Sequence, residues 1–322
     1  MGTDAVIETH ELTKKYGKFL ALDRLTLAVG TGQILGFIGP NGAGKTTTIK
    51  ILVGLARPTS GTARIGGADC VAETQKVKRL VGYMPDTFGS YDNMRVGEYL
   101  DFFGAAFGIR RRDRAKRVDE SMEVTGTTTF RDLFVETLSH GMMQRVAIAR
   151  TLLHDPVVLI LDEPANGLDP TARIEMRHLL LGLAARGKTL IVTSHILPEL
   201  ARICHKVAII TRGRLQAHGT LDEIARQLSP RRTIEILLSR PEEVEPARAA
   251  VAAHVEADAT AEASVAELAV RVRTAKPDSE LANLLADLVR GGLRVTQFRE
   301  LQTDLEEAFA TVARAAAAGS AS

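Results

Sequence analysis

Gly39-Pro40-Asn41-Gly42-Ala43-Gly44-Lys45-Thr46-Thr47 follows the compact apolar run Gln33–Ile38 and leads into Thr46–Leu55, a stretch of helical character. The spacing is G-x-x-x-x-G-K-[ST], in the strand–loop–helix context that gives the motif its meaning. Its glycines let the backbone wrap tightly, so the amides from about Asn41 to Thr47 can converge on phosphate oxygens. The helix behind them adds its positive N-terminal end. Lys45 is placed to reach β- and γ-phosphates, and the Thr46 hydroxyl to ligate Mg²⁺. An ordinary glycine turn is the bland alternative, and motif and context together argue against it. The stretch reads as a nucleoside-triphosphate site on an α/β fold.

Working outward, Val157–Leu161 is a second buried run and ends in Asp162–Glu163. A carboxylate at the end of such a strand belongs near the shell of a bound Mg²⁺, and its neighbour can orient or deprotonate a water. Thr189–Thr193 and Val207–Ile210 repeat the parallel-sheet pattern, with helical stretches between. Ala5–Val29 reads as short strands, punctuated by Gly17 and by Gly30–Thr31–Gly32. Between Arg95 and Leu153 the pattern is mostly helical, which suits a helical subdomain inserted between sheet elements. Its charged stretch Arg110–Arg117 reads as a solvated helix face.

Past Leu228 the sequence becomes Ala-rich and loses these motifs. Thr233–Leu238, Ala269–Arg273 and Leu293–Phe298 read as strands, and Ser279–Arg290 as a helix. A last helix is expected from the capping box Thr303-x-x-Glu306 through Val312. The expected organisation is 1–228, with a helical subdomain at about 87–153, then an accessory α+β domain at 229–312 and a tail at 313–322.

Composition narrows the alternatives. The 322 residues carry 41 Lys+Arg against 39 Asp+Glu, a formal charge of +2, so no basic surface advertises nucleic-acid binding. Two distant cysteines, Cys70 and Cys204, make neither a disulfide framework nor a zinc cluster and suit a reducing compartment. No apolar run reaches the ~18 residues of a membrane span, and the N-terminal MGTDAVIETH lacks the apolar core of a secretory leader. A cytoplasmic location is expected.

Leu138-Ser139-His140-Gly141-Met142-Met143-Gln144-Arg145, followed by Asp155–Pro156, resembles the LSGGQ signature of ATP-binding-cassette (ABC) ATPases. Together with Gly39–Thr47, Asp162–Glu163, Asn166-Gly-Leu-Asp169 and Ser194–His195 in order, the resemblance covers about Val6 to Leu228. Within that family the chain looks most like ATPase subunits of daunorubicin-resistance-type (ABC-2) exporters, which often carry a C-terminal extension. The resemblance implies a P-loop NTPase core of the ABC type, with an antiparallel β subdomain and an inserted helical subdomain. It implies ATP and Mg²⁺ as ligands, with Gly39, Pro40, Asn41, Gly42, Ala43, Gly44, Lys45, Thr46 and Thr47 on the phosphates. Tyr16 would stack on adenine, Glu163 and His195 would act at the γ-phosphate, and Thr46, Asp86 and Asp162 would serve the metal. Ser139 and Gly141 would meet the nucleotide of an opposing subunit, and Asp169 would lie in the loop that crosses the dimer interface.

Three departures stand out. His140 and Met142 replace a Gly and the Gln of the signature, and Asp86, after Val81-Gly-Tyr-Met-Pro85, replaces the usual Gln. The expected partners are a second ABC ATPase, as homodimer or heterodimer, and a separate transmembrane permease at the inner face of the membrane. No nucleic-acid partner is expected. A soluble cassette acting on ribosome or DNA is the rival, and it lacks support here, because neither a second cassette nor a long coiled-coil insertion or zinc hook is present. A non-hydrolysing regulatory cassette fits poorly with intact Lys45, Glu163 and His195.

Overall fold

The computed structural model describes residues 5–87, 89, 93–194, 200, 202–228, 231–256 and 259–301, with backbone alone at 225–228. Its contacts divide into two compact units that meet in sequence at Leu221 and Asp222.

The first unit opens with a long antiparallel hairpin, β1 (Ala5–Tyr16) and β2 (Phe19–Gly30), turning at Gly17. Short strands were expected across Ala5–Val29. The structure has two of twelve residues each, kept continuous by bulges, with Glu11 and Arg24 at positive φ. Glu11 and Arg24 sit at these register shifts. β4 (Ser60–Ile65) and β5 (Ala68–Asp69) complete this sheet in the order β2-β1-β4-β5. Neither was anticipated, nor were the helix Thr74–Leu80 and the strand β6 (Val81–Met84) that follow.

The second sheet has six strands in the order β10-β9-β3-β8-β7-β6. Here β3 is Ile34–Ile38, β7 Val158–Leu161, β8 Thr189–Ser194, β9 Lys206–Thr211 and β10 Arg214–Gly219. All neighbours are parallel except β10, which runs antiparallel to β9 at the edge. Every residue of β3, β7 and β8 is buried, as central strands covered on both faces require. Ile7, Leu22 and Leu25 of the antiparallel sheet share one core with Phe37, Ile49, Ile160 and Ile191.

Helix α1 is Lys45–Leu52, ending three residues earlier than the pattern suggested. The helical region has its own core, where Val96, Tyr99 and Leu100 of Val96–Ala106 meet Val118 and Met122 of Arg111–Thr125 and Val146 and Ala149 of His140–Leu152. The Arg110–Arg117 stretch is largely solvent-facing and forms ion pairs with Asp101, Glu120 and Asp155. Among the described residues no helix is long and apolar enough to cross a membrane.

The second unit is a four-stranded antiparallel sheet, β12-β13-β11-β14, formed by β11 (Arg232–Leu238), β12 (Ala261–Ser264), β13 (Ala269–Thr274) and β14 (Val295–Leu301). One face packs Ile234, Ile236, Val270 and Val272 on Val251 and Leu284 of the helices Val244–His254 and Asp278–Arg290. The helix Val244–His254 was not anticipated: its alanines carry little periodic signal. The expected helix from Thr303 lies outside the described residues.

Candidate active site at the ends of the parallel strands

The carboxyl ends of β3, β8 and β7 lie side by side, where ligands bind in open α/β sheets. β3 ends at Ile38, directly opposite Ser194 of β8. The loop that follows is shaped by close approach. A Cβ on Gly39 would sit 2.3 Å from Ile210 O, and Gly44 holds φ 111° with Ala21 O 2.8 Å from its Cβ position. Side chains are excluded at both places. Asn41, Gly42 and Thr46 are exposed along this loop, Pro40 likewise, while Ala43 and Lys45 are buried and Thr47 is half-buried.

Lys45 curls back so that its Nζ donates to Gly39 O and, at 3.3 Å, to Pro40 O. Burial lowers its pKa, and the charges of Glu163 and Asp162 oppose that shift. The ammonium thus sits in the field of both carboxylates.

Asp162 follows β7 directly and is 7% exposed. Burial raises its pKa and the negative charge of Asp86 adds to the rise, while the Thr193 hydroxyl and Lys45 pull the other way. Thr193 Oγ1 donates to Asp162 Oδ1 at 2.6 Å and accepts the Glu163 amide at 2.9 Å. Glu163 itself holds φ 53°, a conformation that non-glycine residues pay for and that clusters at working sites. Sequence reading missed Thr193. The signal that could have found it is a polar residue near the end of an otherwise apolar central strand, beside the strand that ends in Asp162.

Asp86 is exposed, and its charge reaches both Asp162 and the half-buried Tyr83 phenol, whose pKa is pushed up to about 12, chiefly by burial. Tyr16 closes β1 with its ring half exposed and the Lys14 ammonium 4.8 Å from the ring centroid. His195 lies outside the described residues. The remaining sequence-predicted residues lie at the starts of two helices. Ser139 caps the helix α5 (His140–Leu152), its Oγ accepting Met142 N at 3.3 Å. Gly141 follows in its first turn, and a Cβ there would lie 3.2 Å from Ala172 Cβ. Asp169 caps α6 (Pro170–Ala185), accepting Thr171 N and Ala172 N at 2.9 and 3.0 Å.

Among the described residues no cluster of three or more His, Cys, Asp or Glu forms a metal cage. Mg²⁺ requires no such cage, because it leans on one or two carboxylates plus substrate phosphates and keeps its water. A buried carboxylate whose negative charge is disfavoured is the complementary half of such a site.

A phosphate-shaped glycine loop, a lysine in the field of two carboxylates, and a hydroxyl pinning both carboxylate positions define a P-loop nucleoside-triphosphatase domain. The model of the ABC transporter family matches residues 22–166. The chain is 40% identical over 235 residues to the bacitracin transport ATP-binding protein BcrA of Bacillus licheniformis, covering 73% of this chain and 75% of that one. It is 39% identical over 224 residues to the probable multidrug ABC transporter ATP-binding protein YbhF of Escherichia coli (strain K12). That match covers 70% of this chain and 39% of YbhF, so the chain spans well under half of that relative. The bacterial ABC transporter cassette MJ0796, solved in dimeric form, superimposes with a TM-score of 0.60 at 26% identity, over 67% of this chain and 98% of that one. The chain belongs to the ABC transporter ATP-binding family.

Proposed function

We propose that the chain is the ATP-hydrolysing subunit of an export-type ABC transporter, that it works in pairs, and that it drives a separate permease. The observation that carries this reading is the junction of three adjacent strand ends, where Thr193 holds Asp162 and the Glu163 backbone while Lys45 faces both carboxylates. In it the loop from Gly39 to Thr47 binds the triphosphate, and Tyr16 stacks on adenine. Thr46 and Asp162, with Asp86 beside them, would hold Mg²⁺, which neutralises charge developing on the phosphates. Glu163 orients the attacking water, and His195 acts beside it at the γ-phosphate.

One P-loop and one signature leave each site to be completed by the Ser139–Gly141 turn of a second subunit. The dimeric cassette MJ0796 supports that arrangement by likeness. BcrA and YbhF, named for bacitracin and multidrug transport, support export over uptake. The narrower daunorubicin-resistance type is our assignment from the C-terminal extension. The divisions at 1–228, 229–312 and 313–322, and a peripheral position on the inner membrane face, belong to the same proposal.

The test is Glu163→Gln. Binding rests on the P-loop and hydrolysis on the placed water, so the variant is expected to bind ATP normally and hydrolyse it at least about 100-fold more slowly. It should accumulate as an ATP-dependent dimer in gel filtration. Unchanged turnover with no such dimer overturns the assignment.

A further inference from the structure

His140 stands where the ABC signature carries glycine, and the structure gives its side chain a partner. It opens α5, one residue after Ser139, and its Nε2 lies 2.9 Å from the backbone oxygen of Asn166. Asn166 belongs to the loop that runs from the catalytic carboxylates to α6. A carbonyl only accepts, so the ring carries its proton on Nε2 and donates. Gln144, one helical turn on, brings its amide nitrogen to 3.3 Å from the same ring nitrogen. That contact needs the opposite tautomer, and only the bond to Asn166 joins two different segments.

The rest of the loop is tied at its far end. Leu168 O accepts Arg173 Nη2 at 3.0 Å, and Asp169 caps α6. The first turn of α5 also rests on this segment through Gly141, whose Cβ position lies 3.2 Å from Ala172 Cβ and 3.6 Å from Leu168 Cδ2. The loop is therefore held to α6 by its own cap and to the signature turn by the His140 bond and the close approach at Gly141, while Arg145 on α5 also bonds Glu175 on α6. A glycine at 140 would leave Asn166 O without that donor. Shifting the start of α5, which carries Ser139, must then move the loop that carries Asp169.

We propose that His140 is a positioning residue that links the signature turn to the Asn166–Asp169 loop of the same subunit, so that occupancy of one nucleotide site is felt at the other. This rests on the reading above, in which the signature turn and the loop both face a second copy. Each site borrows Ser139 from the opposite chain, and the loop beside that serine reaches back across the interface. The link passes one site's closure to the other, which is a coupling between distinct sites. His140 is solvent-exposed, and an exposed hydrogen bond contributes little to folding, so its effect belongs to the assembled pair.

The experiment measures ATPase rate against ATP concentration for the full-length protein, wild type, His140→Gln and His140→Phe. Binding of a fluorescent ADP to dilute protein and thermal unfolding are measured in parallel. Gln keeps a terminal N–H at similar reach, whereas Phe keeps the ring and loses the donor. Wild type and His140→Gln are expected to share a Hill coefficient above 1. For His140→Phe it should fall toward 1 and kcat should drop about 5-fold, the scale of a modest coupling free energy. Its ADP affinity should stay within about 2-fold, because the P-loop is untouched. A His140→Phe protein with wild-type kcat and Hill coefficient overturns the link alone. His140→Gln as impaired as His140→Phe overturns it too, since the donor would then be irrelevant. A wild type that neither hydrolyses ATP nor dimerises overturns the functional reading, and the link with it.

Discussion

Asp162 and Glu235 are buried carboxylates, one in each unit, 7% and 3% exposed. Their surroundings are opposite. Glu235 lies on β11 between two arginines, Arg271 donating to Oε1 at 2.9 Å and Arg299 to Oε2 through both Nε and Nη2. Its pKa is lowered, first by Arg299, against a smaller opposing effect of burial. The three residues are cross-strand neighbours on the sheet face away from the helices, so the carboxylate is covered by guanidinium groups rather than by depth. Among the described residues Asp162 has one hydroxyl donor, a lysine whose ammonium bonds backbone oxygens instead, and a second anion in Asp86 nearby. Burial dominates there and its pKa is raised. Glu235 is complete without any ligand, whereas Asp162 is a charge kept short of partners at the mouth of a phosphate loop. A carboxylate that completes a sheet and one that the proposed function assigns to a cation are told apart by what already touches them.

The sharpest way to break that contrast is to neutralise each in turn. Asp162→Asn is expected to lower ATPase activity by at least about 10–100-fold, the loss typical of groups one step removed from a metal. The nucleotide-free protein should be as stable as wild type or more so, because a disfavoured buried charge has gone. Glu235→Gln should keep most of the ATPase activity and lower unfolding stability by about 1–3 kcal/mol, the scale of hydrogen bonds to a charged group. Steady-state ATPase and urea unfolding on the two variants decide it. Loss of stability in Asp162→Asn, or loss of turnover in Glu235→Gln at temperatures where it stays folded, would erase the distinction.

Asp86 sharpens the same contrast, since it is the second anion. Its charge reaches Asp162, and in the proposed reading it would resist closure of the site without metal, a penalty that bound Mg²⁺ would remove. Asp86→Gln is expected to keep ATPase activity within about an order of magnitude and to allow some ATP-driven dimerisation in EDTA. Asp86→Ala should raise the Mg²⁺ concentration needed for half-maximal rate. Titrating Mg²⁺ against rate for the three proteins is the measurement, and superimposable curves would make Asp86 a solvated loop residue.

The chemistry of the first unit was legible because its residues are spaced by the ligand. A glycine loop, a lysine and a strand-end carboxylate pair recur at intervals that phosphate geometry dictates, and the central strands announce themselves as unbroken apolar runs. The antiparallel strands were harder. β1 and β2 carry bulges at Glu11 and Arg24, which break the two-residue alternation by which a long strand would be recognised, so that only short strands were expected. β5 has two residues and leaves no pattern to read. What joins segments distant in sequence was invisible for another reason. Thr193 looked like the end of an apolar run, and His140 like a tolerated replacement, until the fold set Asp162 beside one and Asn166 O beside the other. The Glu235 cluster could not be read either, because Arg271 and Arg299 meet it only through strand register.

The smallest expected effect concerns a third ionisable contact, in the second unit. His254 ends its helix with Nδ1 2.9 Å from Ala250 O and Nε2 3.0 Å from Asp287 Oδ2. Its pKa is raised above 6.5, first by the Ala250 carbonyl, then by Asp287, against a weaker effect of burial. A folded pKa above the unfolded one favours the protonated folded state. The contribution is therefore fully present below about 6.5 and is lost as pH rises through the higher folded value. Both partners are exposed, with 40% and 42% of their side-chain surfaces open, and Asp287 is shared with Arg290 at 3.0 Å. Solvent and the competing arginine hold the effect to at most about 0.5 kcal/mol. The check is the stability difference between wild type and His254→Gln, from urea unfolding at pH 5.5 and 8.5. The wild type's advantage should shrink at the higher pH. An equal difference at both would mean that the ring contributes hydrogen bonds and no charge. An effect as large as that of Glu235→Gln would mean that exposure fails to separate weak ion pairs from strong ones in this unit. Glu235 has two arginines and little access to water, and His254 has one carboxylate and ready access. The same pairing of opposite charges should therefore be measurable at the first and close to vanishing at the second.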